Sequence, residues 1–165
     1  MNKKNINIKK QNASKEYFAL AGDNYRVVIS GKETEGKYAV IDMIIPPGGG
    51  PMPHSHPKFT ETFFIISGEL LYKTESGKVI VTAGDFVEVP TGGAIHCFKN
   101  MSECNAHVIC TVFPAGFEEF FKEIGTPVNE GEFISIEESN SEYQKRIEFV
   151  SKKYGQKIYK ENFLE

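Results

Sequence analysis

Four residues stand at a spacing that lets one metal ion reach them all. His54 and His56 are separated by one residue, and Glu61 follows after four more. Gly48, with five residues between it and His54, and Gly68, with six between it and Glu61, frame the stretch. In an extended chain, residues two apart share a face, so His54 and His56 can address the same ion. A short turn at Pro57 and Lys58 returns Glu61 at the head of the next strand. A fourth ligand, His96, lies in GDFVEVPTGGAIHCFKN. There the turn of Pro90, Thr91, Gly92 and Gly93 feeds a strand that points His96 and Phe98 inward and Cys97 outward. Three neutral imidazoles and one carboxylate suit one divalent transition metal per chain, and ligand identity does not choose among Fe, Mn, Ni, Co and Zn. Four protein ligands leave one or two positions free on a five- or six-coordinate ion, the arrangement of a site that takes a substrate. Singly, each residue has a plainer reading, as a solvated loop histidine, a surface acid or a hydrogen-bonded core histidine. The common register with turn glycines favours the metal.

Strands must position these side chains. Residues 25–30, 37–45, 62–67, 69–74, 78–82, 85–89 and 106–113 are short, rich in β-branched or aromatic residues, and bounded by Gly, Pro, Ser or Asn. This predicts an all-β chain whose strands close into a sandwich or barrel to hide their edges. After Pro114 the period changes. Phe117, Phe120, Phe121 and Ile124 recur at helical spacing until Gly125, Thr126 and Pro127. A second helix starts near Ser139 or Ser141, carries Tyr143, Ile147 and Val150 on one face, and ends with Lys152 and Lys153 before Gly155. The division expected is a polar tail over residues 1–20 (with Lys3, Lys4, Lys9, Lys10 and Lys15 solvated), a barrel with a short helix over 21–127, and a helical extension over 128–165 packed on the same domain.

Charge and composition narrow the partners. A net charge of −3 gives no basic face for nucleic acid. No apolar run approaches the roughly 18 residues of a membrane span, and the N-terminus lacks the apolar core of a signal peptide. Cys97, Cys104 and Cys110 lack metal-site spacing and read as free buried thiols in a reducing compartment. A cytoplasmic location is expected. Gly48, Gly49 and Gly50 are followed by neither the Lys-Ser/Thr nor the helix of a phosphate loop.

The two spaced motifs, Gly48 to Gly68 and Gly84 to Asn100, resemble those of the cupin superfamily in order and spacing. Pro90 alone lies one residue farther from His96 than the pattern has it. The stretch FFIISGELLYKTESGKVIVTAGDFVEVP, the following PAGFEEFFKEIGTPV and the late KKYGQKI are similar to small single-domain cupins of the quercetin 2,3-dioxygenase-like group. The resemblance implies a cupin jelly-roll β-sandwich or barrel with one or two C-terminal helices outside it.

Alternation makes Ile41, Met43, Ile45, Phe63, Ile65, Val87, Val89, Phe98 and Val112 the lining of the bowl, with Met52 and Phe59 near its rim. Met43, Ile45, Met52, Phe59, Phe63 and Phe98 are the candidate substrate pocket. Phe117, Phe120 and Phe121 read as core rather than pocket wall, and His107 as a surface or interface histidine. Arg26 and Arg146 are the only arginines, so a phosphosugar would find no bidentate anion site. The resemblance implies a dioxygenase acting on a small planar or hydrophobic enol or phenol, flavonol-like, with Glu61 as catalytic proton acceptor. The alternatives are a non-catalytic or regulatory small-molecule binder and another cupin metalloenzyme, an isomerase or decarboxylase. A homodimer is expected, because Phe64 and Ile66 alternate to the face opposite Glu61.

Overall fold

Strands β1 (Tyr17–Leu20), β2 (Asp23–Ile29), β3 (Ala39–Ile45), β4 (His54–Ser55), β5 (Thr60–Ser67), β6 (Glu69–Thr74), β7 (Gly77–Thr82), β8 (Phe86–Val89), β9 (His96–Lys99) and β10 (Ala106–Phe113) precede helix α1 (Glu118–Ile124). They are followed by β11 (Thr126–Val128), α2 (Ser141–Lys153), β12 (Lys157–Ile158) and a 3-10 turn at Glu161–Leu164. This computed structural model describes residues 6–10, 16–134 and 141–165. One antiparallel sheet runs β11-β1-β2-β3-β10-β5-β8 and the other β12-β4-β9-β6-β7, together an all-β jelly roll.

Alternation builds the interior. Ala39, Ile41, Met43 and Ile45 of β3 are buried, as are Ala106, Val108, Cys110 and Val112 of β10, while the residues between them face outward. Pairing stacks these side chains in rows. Ala39, Val112, Glu61 and Val89 form one row, and Ile41, Cys110, Phe63 and Val87 the next.

Two expectations are changed. Tyr17–Leu20, placed in a polar tail by its Lys- and Asn-rich surroundings, is a fully buried strand held between β2 and β11. Its four consecutive apolar residues carry no alternation because both faces are covered. Of the lysines assigned to the tail, Lys9 pairs with Glu33 and Lys10 is exposed, whereas Lys3, Lys4 and Lys15 lie outside the described residues. The helix stop read at Gly125, Thr126 and Pro127 holds, with α1 ending at Ile124, and Thr126 and Pro127 go on into β11. Cys97 and Cys110 are buried free thiols, but Cys104 is exposed. Helix α2 matches the start at Ser141; the alternative at Ser139 lies outside the described residues. Tyr143, Ile147 and Val150 pack on the core with Phe117, Phe120 and Phe121.

The glycine loop ahead of His54 is fastened from both sides. Gly48 N donates to Asn100 O (2.8 Å), and Asn100 N to Gly49 O (3.0 Å). Gly50, at φ +124°, passes so close to β9 that a Cβ would meet Phe98 O at 2.1 Å, which leaves room for glycine alone. From the other sheet, buried Asp23 accepts from Gly50 N (3.1 Å) and from the Tyr25 hydroxyl (2.9 Å).

Burial pushes the Asp23 carboxyl up to about 7, against those two hydrogen bonds and the charge of Lys99. The unfolded chain therefore gives up this proton first, and the Asp23 contribution to stability falls as pH rises from about 4 to about 7 and is level above that. Asp23→Asn should remove this slope. Whatever fixed offset the lost acceptor causes, the variant gains on the wild type between pH 4 and 7 in urea unfolding. A difference that stays constant over that range would contradict the assignment.

Candidate metal centre

The two histidines of the first motif come from a two-residue strand and from the connection that follows it to the other sheet. His54 lies in β4 and pairs across the sheet with His96 of β9; His56 follows β4, and Glu61 opens β5 in the facing sheet. The turn that delivers His96 is tied back to β5. Thr91 N donates to Thr60 Oγ1 (3.2 Å), and the two threonine hydroxyls lie 3.2 Å apart. The longer Pro90 spacing is thus accommodated before the strand begins.

Each imidazole is aimed by its own backbone. His54 Nδ1 donates to Met52 O (2.8 Å), His56 Nδ1 to Phe59 O (3.1 Å) and His96 Nδ1 to Ala94 O (3.0 Å). A carbonyl oxygen can only accept, so the proton sits on Nδ1 and the Nε2 lone pair is free. One ligand atom from each of His54, His56, Glu61 and His96 lies within 4.8 Å of all the others, and all four residues are buried. Glu61 Oε2 is 2.9 Å from His56 Nε2 and 3.7 Å from His96 Nε2. Yet none of these three atoms has an aligned hydrogen-bond partner among the described residues.

The electrostatics follow. Burial presses the His54 imidazole down to about 3, and the adjacent His96 adds to that effect. Burial also acts to lower His56, but the Glu61 carboxylate outweighs it and raises the group. Glu61 itself would be raised by burial and is instead held well below the ordinary carboxylate range by His56 and His96. Buried lone pairs with no donor are costly, and a divalent ion would meet all of them at once. The cluster fits such an ion and could hold it.

The structure places the six candidate pocket residues unevenly. Phe59 stacks on His56 (4.3 Å, 10°), and Met52, half exposed, lends its carbonyl to His54. Phe63 and Phe98 are buried one inward step from Glu61 and His96. Met43 and Ile45 are buried two and three rows from Glu61 along the same sheet. Cys97 faces away from the cluster, covered by Ile95, Leu164 and Tyr159, and His107 is half-buried on the outer face against Asp42 (2.6 Å). Sequence reasoning misses two neighbours. Tyr72 and Cys110 face the same interior, a placement that the alternation of their strands signals.

A jelly roll with a buried cluster of three histidines and one glutamate that could hold a metal ion defines the class. Residues 41–112 of the chain match the cupin domain. The chain is similar to quercetin 2,3-dioxygenase of Bacillus subtilis (strain 168), 29% identical over 109 residues. That alignment covers 66% of this chain and 32% of the other, so the chain spans about a third of its curated relative. Among solved structures, KdgF from Halomonas sp. superposes with a TM-score of 0.61 at 15% identity, covering 70% of this chain and 99% of that one. A predicted oxalate decarboxylase from Thermotoga maritima gives 0.58 at 18% identity, covering 65% and 98%. Both likenesses speak to the fold. Among the described residues, no helix is long and apolar enough to cross a membrane.

Chelated protein reloaded with Co(II) is expected to hold about one ion per chain, since four ligands converge on one point. His54→Ala and His96→Ala should each lose metal, and His56→Ala/His96→Ala should lose it entirely, with far-UV circular dichroism unchanged. Full occupancy in the folded double variant would end the assignment.

Proposed function

We propose that the chain is a metal-dependent, dioxygenase-like enzyme acting on a small planar or hydrophobic enol or phenol of flavonol type. The observation that carries the reading is an ionised carboxylate held among three inward imidazole lone pairs, beside apolar and aromatic walls. A divalent transition metal held by His54, His56, Glu61 and His96 supplies Lewis-acid polarisation of a coordinated enol or phenol oxygen. Glu61 is the proton acceptor. Its Oε2 faces the imidazoles, leaving Oε1 to take the proton the substrate releases. Phe59, Phe63 and Phe98 give the site buried aromatic walls that would keep water from a planar substrate. Likeness to quercetin 2,3-dioxygenase over 109 residues supports the same choice. Both arginines are engaged away from the cluster: Arg26 is on Asp42 (2.5 Å) and Arg146 on Glu123 O (3.0 Å). The exposed thiol of Cys104 suits the cytoplasm.

Oxygen uptake with a flavonol panel, measured alongside bound metal, tests the reading. Metal-replete Glu61→Gln should keep its ion and lose a factor of about 10²–10⁴ in turnover, the usual weight of general acid–base catalysis. Wild-type turnover in that variant would remove Glu61 as the base, and binding without uptake in either form would make the protein a binder.

The outer face of the larger sheet supports a homodimer. Asp42, Ile109, Phe64 and Phe86 follow one another across four strands, and Phe64, Ile66 and Phe86 are 43%, 44% and 62% exposed. Neither described helix covers these three side chains. Light scattering at micromolar concentration should give a dimer, and Phe64→Glu/Ile66→Lys a monomer that still binds metal. A monomeric wild type would refute the dimer.

A further inference from the structure

Tyr72 carries a polar atom that neither the fold nor the metal cluster uses. In the smaller sheet it pairs with Phe98, and the next pair on that face is Thr74 with His96. Its ring lies 5.4 Å from Phe98 and 5.8 Å from Phe63, which are one inward step from His96 and Glu61. Tyr72 therefore belongs to the layer of side chains next to the four candidate ligands. It is 2% exposed, and its hydroxyl has no hydrogen-bond partner among the described residues. Its ring packs with those of Phe63 and Phe98, which carry no polar atom. The ring serves packing as theirs do, and the hydroxyl is left buried and unmet.

We propose that the Tyr72 hydroxyl donates a hydrogen bond to the anionic oxygen of a ligand coordinated at the open position, and that this ligand is a mono-anionic enolate or phenolate. The inference rests on the proposed metal site and narrows its substrate class. Burial raises the Tyr72 phenol well above its ordinary range, and the Glu61 charge raises it further, so it remains a donor. Charge selects the ligand. A divalent ion with one carboxylate leaves a single positive charge in a buried site, which one enolate cancels. A dicarboxylate or phosphate ester would bring a second negative charge, and no Lys or Arg is among the buried residues described to balance it.

Tyr72→Phe tests this in two ways. In metal-free protein the variant should melt at the same temperature as the wild type or higher, because a hydroxyl without a partner is removed while the ring stays. In Co(II)-loaded protein, titrated spectroscopically with tropolone, a soluble mono-anionic enol chelator, Co(II) content should be unchanged. Tropolone affinity should fall roughly ten- to hundredfold, the worth of a hydrogen bond to a charged group. Oxalate should bind the wild type more weakly than tropolone does. A destabilised variant would make the hydroxyl structural and overturn the proposal. So would tropolone affinity within twofold of wild type, tighter binding of oxalate, or no binding of tropolone by the wild type. If the tropolone result holds while flavonols give no oxygen uptake, the dioxygenase reading falls and the role of Tyr72 stands.

Discussion

Three hydrogen bonds from imidazole Nδ1 atoms to backbone carbonyls determine what this barrel can do. Each spends the one N–H of a neutral ring on a carbonyl within three residues of it, and so turns the Nε2 lone pair inward. With Glu61 ionised beside them, the protein buries a set of acceptors that repel one another unless a cation or a proton lies between. Such a set survives folding only if the backbone around it cannot relax. The supports are accordingly backbone-based: the glycine loop laced to Asn100, the Thr60 and Thr91 clasp, and the pairing of His54 with His96. Side-chain packing alone would leave the rings free to rotate the lone pairs away from one another.

The sequence reveals the parts of this design that are local. His54, His56, Glu61 and His96 fall in extended segments whose period of two fixes a face, and strands such as Ala39–Ile45 and Ala106–Phe113 show the same alternation in their burial. What it conceals is held by distant partners. Strands β4, β11 and β12 have two or three residues, too few to show any period, and exist because neighbouring strands supply their hydrogen bonds. Tyr17–Leu20 is a run of four apolar residues embedded among lysines and asparagines, where composition outweighs pattern. Tyr72 escapes notice because a tyrosine on an inward face reads as core, and only the missing partner of its hydroxyl sets it apart from Phe63 and Phe98.

The described residues after 128 are joined to the candidate ligands along two routes. Through the backbone, Lys157 and Ile158 pair with Ser55 and His54, and Tyr159 N donates to Pro53 O (2.8 Å), so the final strand forms the outer edge of the strand that holds a ligand. Through the side chains, rings continue from His56 to Phe59, then to Phe117 at 4.8 Å and Phe120 at 5.1 Å, and end edge-on at Tyr154. A stacked ring cannot turn without displacing its neighbour, so the plane of His56 is set in part by helix α1 and by the end of α2. The last residues close the same region, with Glu165 between Lys73 and Lys78 and Leu164 over Cys97 on the back of the strand that carries His96. The exposed ion pairs add little by themselves. Their effect is to keep Leu164 seated, and with it the outer face of β9. The C-terminal region therefore acts on the site by limiting how far its ligands can move, and an ion bound there would in turn favour the conformation in which that region is docked.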